Sequence, residues 1–129
     1  MTTQQVTTAR QHRGRSNYHA GVAAEEIVAR AYARRGYVLA AQRWRGQSGE
    51  VDLILKDGDT VVFVEVKKSR TFDQAMGRIT QVQVDRICRA ATEFVGSEPR
   101  GQLTPMRFDV GLVDGAGDVE IREGVLGGW

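Results

Sequence analysis

Gly49-Glu50-Val51-Asp52-Leu53-Ile54-Leu55-Lys56-Asp57-Gly58-Asp59-Thr60-Val61-Val62-Phe63-Val64-Glu65-Val66-Lys67 is the most telling stretch of this chain. Val51, Leu53 and Leu55 alternate with Glu50, Asp52 and Ile54, which is strand periodicity. Asp57-Gly58-Asp59 is a hairpin turn signal. Thr60 to Val66 is apolar on both faces, as a central strand is. Alternation sends Glu50 and Asp52 to one face and Val51 and Leu53 to the other, while Val61, Phe63, Glu65 and Lys67 share a face of the second strand. Paired around the turn, the strands bring Asp52 across from Glu65. Taking unpaired charge out of water is costly, and two carboxylates so close repel unless a cation separates them. Mg²⁺ suits such a place, because it takes hard oxygen ligands and keeps several waters. Bound there, it can position and acidify an attacking water, and Lys67 can stabilise developing negative charge or orient that water. Asp52, Glu65 and Lys67 are therefore the expected catalytic residues of a metal-dependent phosphodiester-cleaving site. The plainer alternative is an ion pair, with Lys67 neutralising Glu65 or Asp52 at the sheet edge.

On either side, the periodicity changes. From about Tyr18 to Arg35, Ala24, Ile27, Val28 and Ala31 fall at helical spacing, and Gly36 caps that helix. Tyr37 to Trp44 reads as a strand and Gly46-Gln47-Ser48-Gly49 as a turn. A second helix is expected from roughly Met76 to Val95, with Ile79, Val84, Ile87, Ala91 and Phe94 on one side. Ser97 to Pro105 reads as a loop, Arg107 to Val113 as a strand and Val119 to Arg122 as a short last one. Residues 1–16 show no periodicity and are expected to be a disordered basic tail ahead of a single domain, 17–129. The order helix, three strands, helix, one or two strands predicts an α/β sandwich around a mixed sheet of four to five strands flanked by two main helices.

The 129 residues suit one domain able to bury a core without disulfides. One cysteine, Cys88, cannot bridge internally, which points to a reducing compartment. No apolar run spans a bilayer and the N-terminus lacks a signal-peptide segment, so a cytoplasmic protein with no membrane partner is expected. Net charge is only +2 but uneven: residues 1–49 hold eight of the 18 Lys/Arg and two of the 16 acids, Glu25 and Glu26. That asymmetry weakly favours a polyanionic partner for the N-terminal half, but on charge alone a solvated helix face with a basic tail stays ahead. Arg10, Arg13 and Arg15 fit either a nucleic-acid-binding arm or a solubilising tail.

Five segments together resemble the YraN-like family, small uncharacterised bacterial proteins with a restriction-endonuclease-like fold, related in shape to Holliday junction resolvases. Gly21-Val22-Ala23-Ala24-Glu25 is similar to the family's opening Gly-x-x-Gly-Glu, with Ala24 for the second glycine. Gly36-Tyr37, Gly49-Glu50-Val51-Asp52-Leu53-Ile54, Phe63-Val64-Glu65-Val66-Lys67 and Arg107-Phe108-Asp109-Val110 match its further motifs. The resemblance covers roughly Gly21 to Val113. It implies a restriction-endonuclease-like sandwich in which Asp52, Glu65 and the helix-borne Glu25 hold Mg²⁺ or Mn²⁺ and Lys67 is the catalytic lysine. The chain departs from the family at Ser69, where an arginine is usual and Arg70 is displaced by one, and at Gln83, in the place of a helical lysine. Both changes remove charge that would contact phosphate.

Other residues have a plain reading beside a functional one. Glu50 fits a supporting acid or a solvated strand start, and Gln83 is the other supporting residue expected. Glu25 is also a first-turn acid favoured by the helix dipole. Asp109 is expected to be structural, Trp44 partial core and Cys88 packing. His12 and His19 lie too near the N-terminus for a triad or a zinc site. The expected function is metal-dependent phosphodiester hydrolysis on nucleic acid, DNA first and branched or damaged DNA within it, by a homodimer if two strands are cut. The alternatives are a non-catalytic nucleic-acid-binding protein of the same fold and an adaptor in DNA maintenance.

Overall fold

The computed structural model describes residues 9–126, of which residues 9–20 are described by their backbone path alone. Arg10, Arg13, Arg15, His12 and His19 thus carry no description of their side chains, and residues 1–8 lie outside the described residues. Helix α1 runs Ala9–Arg34 and is followed by β1 (Val38–Arg45), β2 (Glu50–Asp57) and β3 (Thr60–Lys68). Then come a short helix α2 (Phe72–Met76), α3 (Gln81–Val95), β4 (Met106–Val113) and β5 (Val119–Arg122). The strands form one five-stranded sheet in chain order. Every neighbouring pair is antiparallel except β3 and β4, which are parallel. A parallel pair needs a long crossover, and α2 and α3 supply it.

The sheet is covered on both faces, giving an α/β sandwich with a mixed sheet. Ala24, Val28 and Tyr32 of α1 pack with Leu53, Leu55, Val62, Val64 and Val113 on one face. Ile87, Ala90, Ala91 and Val95 of α3 pack with Val51, Ile54, Val61, Phe63, Phe108, Val110 and Leu112 on the other. Val61 to Val64 therefore alternate between two cores, which is why β3 is apolar on both sides. The close seat of α1 depends on Gly111 of β4, where a Cβ would stand 2.5 Å from Val28 Cγ1.

The helix ends correct two expectations. α1 begins at Ala9, well ahead of the start expected at about Tyr18. Its end is as expected: Gly36 at φ 89 lets the Tyr37 N–H reach back to the Tyr32 carbonyl at 3.2 Å. The second helix does not run unbroken from Met76. α2 ends at Gly77, and α3 starts afresh after Thr80, whose hydroxyl accepts from Gln83 N while the Gln83 side chain accepts from Thr80 N. Ile79 falls in phase with α3 and packs against its core, yet it stands before the cap.

Candidate active site

The β2–β3 hairpin sets the site. Its register runs from Asp57↔Thr60 to Leu53↔Val64. One level on, where Asp52 would face Glu65, the Asp52 carboxylate itself accepts the Val66 N–H at 2.8 Å. On the other side of β2, the register passes from Gln42↔Leu53 to Trp44↔Val51 without pairing Arg43 and Asp52. Arg43 has φ 49, a left-handed conformation costly for a side chain of its size. Strict alternation along β2 consequently fails at Asp52. Val51 and Ile54 enter one core and Leu53 and Leu55 the other, so Val51 and Leu53 do not share a face as the sequence suggested. This interruption turns a ladder position into a carboxylate free of strand pairing.

Asp52, Glu65 and Lys67 are brought together. Lys67 Nζ lies 3.2 Å from Glu65 Oε2, with the two side chains only 16% and 13% exposed. The Asp52 and Glu65 carboxyl groups lie close enough for each to act on the other. Burial, reinforced by the Glu65 charge, pushes Asp52 up to about 7. Burial also raises Glu65, against the pull of Lys67. The pair thus holds a proton where isolated carboxyls have lost theirs, and a cation would relieve the same repulsion.

The other expected site residues are placed apart. Glu25, which burial raises, pairs its carboxylate with Arg43 at 2.8 Å, and the Asp52 charge also raises it. Glu50 is paired across the ladder with Arg45 at 2.8 Å. Gln83 is engaged in the α3 capping box. Among the described residues no three Asp, Glu, His or Cys side chains are grouped to hold a metal, so Glu25 is not gathered with Asp52 and Glu65 as a third ligand. The donor set is two carboxylates, one of which has an oxygen taken by Val66 N–H. It fits a hard cation that keeps most of its waters, as Mg²⁺ does. Asp109 is structural: fully buried, it accepts from Tyr32 Oη at 2.7 Å, Arg107 at 2.8 and 2.9 Å and Gly124 N at 2.9 Å. Trp44 is half-buried and stands edge-on to Phe94 at 5.5 Å, partial core as expected.

Two side chains of α3 were not foreseen. Glu93 accepts the N–H groups of Gln47 and Ser48, both at 3.1 Å, and so clamps the β1–β2 turn to α3. Arg86 crosses Gly49 at the start of β2, and its charge acts on Glu65. Both lie on a helix face where charge is ordinary, so periodicity gives no signal for either.

The uncharacterised protein family UPF0102 matches this chain over residues 24–113. A UPF0102 protein of Roseobacter denitrificans is 56% identical over 126 residues, 98% of each chain. One from Cereibacter sphaeroides strain KD131 is 57% identical over 110 residues, 85% of this chain and 94% of its own. The matched span holds Glu25, Asp52, Glu65 and Lys67. The chain belongs to the UPF0102 family.

Proposed function

We propose that this UPF0102 protein is a Mg²⁺- or Mn²⁺-dependent endonuclease that hydrolyses phosphodiester bonds in DNA. The observation that carries the reading is the placement of the part-buried Asp52 and Glu65 carboxyls on facing positions of the β2–β3 hairpin, both raised and with Lys67 paired to Glu65. Two carboxyls set together out of water repel and cost the fold stability, and a divalent cation between them would offset that repulsion. Asp52 and Glu65 would hold the cation. Such an ion, when bound, supplies a Lewis acid that lowers the pKa of a coordinated water and offsets phosphate charge. Lys67 keeps a positive charge at the same place, where it can meet the charge that develops on phosphorus-bound oxygen. Val66 N–H fixes one Asp52 oxygen and so orients the carboxylate.

The Lys67–Glu65 ion pair favours one second reading, in which the lysine merely neutralises Glu65 and the protein binds nucleic acid without cleaving it. The test is cleavage of labelled linear duplex, single strand, flap, four-way junction and structured RNA with Mn²⁺, wild type beside Asp52→Asn and Lys67→Met. Cleavage that both variants lose supports the nuclease. Binding without cleavage on every substrate supports the second reading, and neither binding nor cleavage rejects both.

A further inference from the structure

Glu65 and Asp52 make a poor landing place for a polyanion unless further positive charge stands on the approach. Lys67 is engaged with Glu65. The two positions where the family resemblance expects a cation supply none. Ser69 donates its N–H to the Val113 carbonyl, and Gln83 closes the α3 cap. Arg86, one turn beyond Gln83, is placed differently. A Cβ on Gly49 would stand 2.4 Å from Arg86 Cγ and 3.0 Å from Cδ, so the glycine makes room for the arginine stem against the start of β2. The residue is exposed, its charge is within reach of Glu65, and none of the ion pairs among the described residues uses it. A stem fixed by packing with a solvated guanidinium suits phosphate recognition, because Arg presents several donors at little further entropic cost.

We propose that Arg86 is the phosphate-gripping residue of this site, its guanidinium donating to a non-bridging oxygen of a polynucleotide backbone beside the Asp52–Glu65 pair. The inference rests on the nuclease reading and deepens it. Backbone contact of this kind positions a strand without reading its sequence, so the ligand class is a phosphodiester chain of any base composition.

The experiment is fluorescence anisotropy of the full chain with labelled single-stranded and duplex oligodeoxynucleotides. Ca²⁺ replaces Mg²⁺, and salt is varied. Wild type is compared with Arg86→Met, which keeps an unbranched stem over Gly49, and with Arg86→Lys. Arg86→Met is expected to weaken binding by about tenfold or more on every sequence. It should lower the slope of log K against log salt by about one. Arg86→Lys should keep the slope, and melting temperature and Mn²⁺-dependent stabilisation should stay at wild-type values in both. Wild-type affinity and slope in Arg86→Met would overturn the inference while leaving the nuclease reading standing. Loss of binding in both variants with an equal fall in melting temperature would overturn it as well, marking Arg86 as structural. A wild type that binds no oligonucleotide would reject the nuclease reading and this inference together.

Discussion

Asp52 is held in a position that costs stability at neutral pH. Its folded-state pKa of about 7 stands above the ordinary value of 3.8. The folded chain therefore binds the proton more tightly than the unfolded chain, and stability falls as pH rises from about 4 through about 7. Asp52→Asn keeps an acceptor for Val66 N–H and removes the charge. It is expected to stabilise the fold by about 1–2 kcal/mol at pH 8. The gain should vanish near pH 4, as urea denaturation at the two pH values would read. Substitution of Asp109 has the opposite effect on stability. Asp109 is fully buried and accepts from Tyr32, Arg107 and Gly124, so Asp109→Ala leaves those donors short of their acceptor and should cost about 3–5 kcal/mol by the same denaturation measurement. The proximity of Asp52, Glu65 and Lys67 was legible in the sequence because charge inside an apolar strand is conspicuous. Arg86 and Glu93 were not, because charge on the outer face of an amphipathic helix is the rule and only the fold shows which turn it meets. The pairing of Glu25 with Arg43 was equally hidden, since it depends on Arg43 taking φ 49.

Strands were easier to read than helix ends. β1 to β5 lie within a residue or two of their expected bounds, because alternation and the Asp57-Gly58-Asp59 turn constrain them locally. Gly58, at φ 61 in the first central position of a two-residue turn, meets the demand of a type II′ hairpin. The break between α2 and α3 escaped notice because Ile79 keeps the helical phase across it, and only the Thr80–Gln83 capping box marks the restart. The irregularity at Asp52 was also invisible, since a skipped pair changes no residue type. Two elements meet so closely at Gly111 that a methyl group there has no room. Gly111→Ala should cost about 1–3 kcal/mol by overpacking. Adding Val28→Ala should recover part of that loss, so denaturant unfolding of the two single variants and the double is expected to be non-additive. Gly46 is similarly confined, with a Cβ there 2.5 Å from both Trp44 Cη2 and Glu93 Oε1. Gly46→Ala is therefore expected to lower the melting temperature by displacing Glu93 from the turn.

At the scale of the whole molecule, the sandwich supplies what the site needs. β3 carries Glu65 and Lys67 out of a core buried on both faces, β2 offers Asp52 where pairing stops, and α3 sets Arg86 over the start of β2. Among the described residues no helix is long and apolar enough to cross a membrane. The central claim is that Asp52 and Glu65 together hold one divalent cation. Its most direct test is calorimetric titration of Mn²⁺ into the wild type, Asp52→Asn and Glu65→Gln at pH 7.5, repeated in buffers of different ionisation enthalpy. The wild type should bind one Mn²⁺ and release protons as it does so, because the ion displaces the proton the carboxyl pair retains, and both variants should lose that binding. Binding unchanged in either variant, or none in the wild type, would contradict the account.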